Sequence, residues 1–167
     1  MAVLVIRHGL SEANNRNNVG MLAFASKDAP LMEQGRQQAR ELTAILRIEH
    51  DIDTAKTPVA TSELLRTQQT AEEAGFTNIS IYPVLNEVAH GIALPGLREM
   101  LDQKKLPDVA LQAAHAILEN PPAEDIWVTH GLVIASLCQV LDVAREDRFI
   151  PRFCERRELP IDLPAAA

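Results

Sequence analysis

Two apolar runs in this chain end the same way, in a histidine followed by a glycine. Ala2-Val-Leu-Val-Ile leads into Arg7-His8-Gly9, and Ile126-Trp-Val-Thr leads into His130-Gly131. An imidazole titrates near neutral pH, so each histidine can act as nucleophile, proton carrier or hydrogen-bond donor. Arg66 lies one turn into a predicted helix that follows Ser62, and Asn14 lies six residues beyond His8. If these residues converge, Arg7, Arg66, His8 and His130 surround one point, with Asn14 as a further donor and Glu87 as the lone carboxylate. Many donors with few acceptors suit an oxyanion, and the planar arginine fork matches phosphate oxygens. Gly9 lacks a Cβ, which permits positive φ and close approach of a ligand to the backbone.

The elements that must position these groups can be read from the pattern. Residues 2–6 and 126–129 are short continuous apolar runs, as expected of strands buried on both faces of a parallel sheet. Residues after such strands sit at the carboxyl edge, where open α/β sheets keep their ligand crevice. Further strands are expected at 57–61, 79–82 and, as a sheet edge, within 149–159. Helices are expected at 33–49, 63–74, 96–104, 108–119 and 132–141. Ser11 is read as the cap of a short helix carrying Asn14, and Ser62 as the cap of the helix closed by Gly75. Segments 16–31 and 84–95 are read as loops, the second carrying Glu87 and His90. Strands alternating with helices make the chain α/β.

At 167 residues with 47% apolar content, one domain with a sizeable core is the simplest expectation. A net charge of −7 disfavours general affinity for nucleic acid or an anionic membrane, both of which want a basic surface. Cys138 lies in an apolar helix pattern and reads as a packed, reduced thiol; Cys154 is the only other cysteine. The first apolar run stops at Arg7, short of a signal sequence, and no run approaches the ~20 residues of a bilayer span. A cytoplasmic location is expected.

Five motifs in order carry a family resemblance: Arg7-His8-Gly9 with Ser11 and Asn14; Leu31 with Gly35 and Gln38-Ala39; Ser62-x-Leu64-x-Arg66 with Gln69-Thr70-Ala71; Leu85-x-Glu87; and Thr129-His130-Gly131. Together they resemble the histidine phosphatase superfamily, the phosphoglycerate mutase-like or RHG family, in a compact phosphatase form. The resemblance implies a three-layer α/β/α sandwich on a mainly parallel sheet. It also implies a single histidine phosphatase domain over 1–159, with 160–167 as a C-terminal tail that the terminal composition suggests is frayed.

The resemblance further implies two-step phosphoryl transfer, with His8 as the nucleophile and Glu87 as the acid and then the base. Arg7, Arg66 and His130 would hold the non-bridging oxygens, with Asn14 and the Gly131 backbone N–H as further donors. No cofactor or metal is implied. The expected partner is a phosphorylated small molecule or phosphoprotein substrate; oligomeric state and substrate are left open. Adjacent arginines should lower the pKa of His8 and keep its lone pair available. The alternatives are a mutase and a catalytically idle binder of phosphorylated ligands. A zinc site of His8, His90, His130 and Glu87 is disfavoured because the arginines repel a cation. His50 and His115 are read as bystanders. Leu10 and Met32 depart from the polar residue and the helix-capping threonine common in relatives. Segments 16–31 and 91–126 are too short to suggest a mutase lid.

Overall fold

The computed structural model describes residues 2–14, 27–88, 94–143 and 149–164. Its elements, in order, are β1 (Val3–Arg7), α1 (Glu33–His50), β2 (Val59–Thr61), α2 (Leu65–Glu73), β3 (Ile79–Ile81), a 3₁₀ turn (Pro83–Leu85), α3 (Leu97–Asp102), α4 (Asp108–Glu119), β4 (Ile126–Thr129), α5 (Gly131–Val140) and β5 (Arg156–Leu159). The strands form one sheet in the order β3-β2-β4-β1-β5. The first four run parallel, and β5 returns antiparallel along β1.

Because successive side chains on a strand point to opposite faces, the apolar run Val3–Ile6 of β1 feeds two cores. Val3 and Val5 pack with Trp127 against α4 and α5, where Ala110, Ala114, Ile117 and Ile134 are buried. Leu4 and Ile6 pack on the other face with Val128 against α1 and α2, where Ala39, Leu42, Leu46 and Ala71 are buried. This is the three-layer α/β/α arrangement. The edge strand β5 carries Arg156 and Arg157, charges of the kind that discourage further pairing at an edge.

Several local expectations are corrected. Ser11 caps no helix among the described residues. Asn14 N–H bonds back to the Ser11 carbonyl at 3.0 Å, making a turn, and Ser11 bridges Leu31 across an isolated β-pairing. Ser62 does not cap α2, whose first residue is Leu65; its hydroxyl accepts the Leu64 N–H at 3.1 Å and otherwise faces inward. Gly75 does close α2, at φ +94°, with Phe76 N–H reaching back to the Ala71 carbonyl. Gly9 is not at positive φ. The segment after Leu159 is not frayed as far as it is described, because Ile161 is buried in the α4–α5 core. Met32 does open α1 without a side-chain cap.

Candidate active site

β4 lies between β1 and β2, and its register with β1 sets Arg7 opposite Thr129. The next residue on each strand is a histidine, so His8 and His130 emerge side by side at the carboxyl edge. Their rings meet edge to face, with centroids 5.2 Å apart. The adjacency on which the sequence reading depended is therefore present. Both rings are buried.

The Nδ1 atom of His8 lies 2.7 Å from the carbonyl of Gly9. A carbonyl can only accept, so Nδ1 carries the proton and Nε2 carries the lone pair. Burial holds the His8 pKa well below its ordinary value, with Arg66 and then Arg7 lowering it further. The arginines act as expected, but the larger cause is desolvation. Both causes favour the neutral ring.

Arg7 and Arg66 also act electrostatically on Glu87, so the same two cations are felt by both His8 and Glu87. Arg66 is the second residue of α2 and is 1% exposed. Burial pulls Arg7 down to about 10, still cationic at neutral pH, and Glu87 opposes the fall. Glu87 itself is pushed above its ordinary value, first by burial. Its own Val88 N–H, the two arginines and the Leu132 N–H at the start of α5 work against the rise. A buried carboxyl that holds its proton longer than usual can serve as a proton donor.

The structure brings together His8, His130, Arg7, Arg66 and Glu87, with Gly131 at the first turn of α5. Asn14 is half-buried, and its Oδ1 accepts from the Ser11 backbone at 3.0 Å and the Ser11 hydroxyl at 2.7 Å. That anchoring leaves its amide NH₂ as the donating end. His90 lies outside the described residues. His50 sits 3.5 Å from Glu158, whose strand register pairs it with Leu4, away from the cluster.

The motif residues without chemistry hold the backbone in place. A Cβ on Gly9 would come within 2.6 Å of the Gly35 carbonyl, and one on Gly35 within 2.0 Å of the Leu10 carbonyl. The two glycines let the start of α1 sit directly on the loop after His8. Gln38 accepts from Leu10 N–H at 3.0 Å, Gln69 from Leu31 N–H at 2.8 Å, and Thr70 from Gly9 N–H at 3.0 Å. A Cβ on Gly131 would come within 3.1 Å of Arg7 Nε.

Two sets of site residues escaped the sequence reading. Ser62 lies with its hydroxyl 2.9 Å from His130 Nε2 and 2.9 Å from the Thr67 hydroxyl, which in turn donates to the Leu64 carbonyl. Its signal was the motif Ser-x-Leu-x-Arg, read as a cap. The second set is residues 151–155, which precede β5. Pro151 accepts from Arg7 Nη1 at 2.7 Å, and the Phe153 ring lies 4.1 Å from the Arg7 guanidinium carbon. Nothing in the local sequence marks this segment.

The sequence of residues 3–125 matches the histidine phosphatase superfamily, branch 1. No curated protein matches it in sequence. Among solved structures, a phosphoglycerate mutase from Thermus thermophilus superposes with a TM-score of 0.69 at 26% identity, covering 96% of this chain and 93% of its own. The mycobacterial glucosyl-3-phosphoglycerate phosphatase in complex with VO₃ superposes with a TM-score of 0.57 at 20% identity, covering 86% and 83%.

Proposed function

The chain belongs to the histidine phosphatase superfamily, branch 1, and from that premise we propose that it hydrolyses phosphate monoesters, or a phosphorylated protein side chain, through a phosphohistidine on His8. The observation that carries this reading is the Nδ1–H bond from His8 to the adjacent Gly9 carbonyl at 2.7 Å. A proton on Nδ1 leaves the Nε2 lone pair available for attack, and burial together with two arginines favours the neutral ring.

In the first step the Nε2 lone pair attacks phosphorus, and the bond from phosphorus to the ester oxygen breaks. Glu87, whose hold on its proton burial strengthens, gives that proton to the oxygen. Arg7, Arg66 and His130 hold the non-bridging oxygens, with Asn14 and the Gly131 N–H as additional donors. Fixed donors of this kind supply most of what phosphoryl transfer needs, which is alignment and charge stabilisation. In the second step water attacks the phosphohistidine while the Glu87 carboxylate takes a proton from it. The N–P bond breaks, leaving neutral His8 and inorganic phosphate.

A mutase reading is favoured by the name of the Thermus neighbour. A mutase must keep water from its phosphohistidine until an acceptor hydroxyl arrives, which requires cover over the site. The α4 helix, one element available for cover, is committed to the core through Ala110, Ala114 and Ile117. That commitment supports the phosphatase.

The test uses a substrate with labelled phosphate, quenched rapidly in alkali. Label should appear on His8, survive alkali and be lost in acid, and His8→Ala should abolish both label and turnover while retaining its thermal transition. Turnover without labelled enzyme would overturn the covalent mechanism. Exchange between the 2- and 3-positions of phosphoglycerate that outpaces phosphate release would establish the mutase.

A further inference from the structure

We infer that Phe153 is a positioning residue for the phosphoryl site, holding the Arg7 guanidinium in place by covering one of its faces. The inference rests on the reading of Arg7 as an oxyanion donor, and concerns a residue from the far end of the chain.

Residues 152–155 form a tight turn, closed by Glu155 N–H to the Arg152 carbonyl at 3.0 Å, with Cys154 at φ +59°. A buried, non-glycine residue in the left-handed region persists where its surroundings fix it. Here the fixing partner is the strand that carries the nucleophile. Arg7 N–H donates to the Glu155 carbonyl at 3.1 Å, and Cys154 N–H donates to the Arg7 carbonyl at 2.9 Å. The turn is thus stitched to both backbone groups of Arg7.

The same turn then engages the Arg7 side chain. Nη1 donates to the Pro151 carbonyl at 2.7 Å, and the guanidinium carbon lies 4.1 Å from the Phe153 ring centroid, well within cation–π range. The Phe153 ring is also 6.2 Å from the His8 ring. Gly131 also lies against the side chain, leaving room for Nε with nothing to spare. The guanidinium is therefore confined by a carbonyl, an aromatic face and a glycine. Its remaining donors keep one orientation, as tight oxyanion binding requires.

The ring suits the task better than an aliphatic cover would. Burial weakens the hold of Arg7 on its charge. An aromatic face offers negative potential to the cation without offering an acceptor that would compete with phosphate.

The experiment measures orthovanadate and inorganic phosphate affinity by titration, since neither probe has a leaving group for the ring to contact. Phe153→Ala and Phe153→Leu should both weaken binding, by about 3–30-fold, the range expected for a partly desolvated cation–π contact. Phe153→Tyr and Phe153→Trp, which keep an aromatic face, should stay within about 3-fold of wild type. In an Arg7→Ala background, Phe153→Ala should cause no further loss, and thermal melts should show all variants folded. Unchanged affinity in Phe153→Ala, full retention by Phe153→Leu, or an equal loss in the Arg7→Ala background would each overturn the positioning role and leave the phosphatase reading standing. Wild-type protein that binds neither probe would instead sink that reading, and the inference with it.

Discussion

A single methyl group on Gly131 should separate activity from stability. Its Cβ would lie 2.9 Å from Ile150 Cγ2, 3.1 Å from Arg7 Nε and 3.3 Å from Arg7 Cζ. Carbon contacts ordinarily settle at about 3.5–4.0 Å, so something must move by about half an ångström. Ile150 is half-buried and can turn aside. Arg7 has less freedom, being held by the Pro151 carbonyl and the Phe153 ring. A misplacement of about 1 Å in a positioned catalytic group costs about 10²-fold, and loss of a whole donor about 10²–10³-fold. Gly131→Ala should therefore lower kcat/KM about 10–100-fold, equivalent to about 1.4–2.7 kcal/mol of transition-state stabilisation. Overpacking costs about 1–3 kcal/mol of fold stability, offset by up to about 1 kcal/mol from replacing glycine in a helix. The net stability change should stay below about 2 kcal/mol, within reach of a thermal melt. The assay is hydrolysis of an aryl phosphate, with orthovanadate inhibition measured in parallel. Unaltered kcat/KM and vanadate affinity would refute the placement of Arg7 as a constrained donor. So would an equal loss in an Arg7→Ala background, because the methyl group would then be acting elsewhere.

Glu87→Gln keeps the shape but cannot transfer a proton, so turnover of alkyl phosphates should fall about 10²–10⁴-fold. Aryl phosphates, whose leaving groups need less protonation, should lose less in the phosphorylation step, measured by pre-steady-state release; equal losses would deny Glu87 the acid role. Ser62→Ala removes the hydroxyl at His130 Nε2, and leaving a buried ring nitrogen without that partner should cost about 1–3 kcal/mol of stability. It should also reduce kcat/KM about 10-fold if a donor is partly misplaced, with Ser62→Thr restoring much of both; a wild-type melt and rate for Ser62→Ala would reject the positioning of His130. His8 has its pKa lowered in the fold, so the unfolded chain binds the proton first as pH falls through 6.5. Its contribution to stability is thus intact above that pH and declines below it, until pH reaches the folded value. The melting temperature of His8→Gln, which cannot charge, should therefore gain on wild type between pH 7.5 and 5.5, and a constant difference would contradict the buried neutral ring.

What local sequence determined is whatever depends on neighbours a few residues apart. The unbroken apolar run of β1 could be stable only with both faces covered, so α/β architecture and the strand-end placement of His8 and His130 were legible at once. Gly75 and Met32 behave at their helix ends as their types dictate. The residues proposed for the phosphoryl site were legible as motif members: His8 and His130 follow strands, Arg66 lies in the first turn of α2, and Glu87 sits in the loop after the 3₁₀ turn. Local preference failed where a distant partner offered a better bond. Ser62 has a helix-capping side chain, yet its hydroxyl serves His130, 68 residues away. Gly9 has the freedom for positive φ, yet what it supplies is room for Gly35. The fall in His8 basicity was expected from charge alone, whereas burial is the larger cause, and burial exists only once α2, β4 and the 151–155 turn have closed around the ring. The contact of Arg7 with Pro151 spans 144 residues. It arises because β5 returns antiparallel beside β1, a pairing set by which edge strand completes the sheet. No spacing along the chain encodes it, since the energy that selects it is released only when the whole sheet assembles.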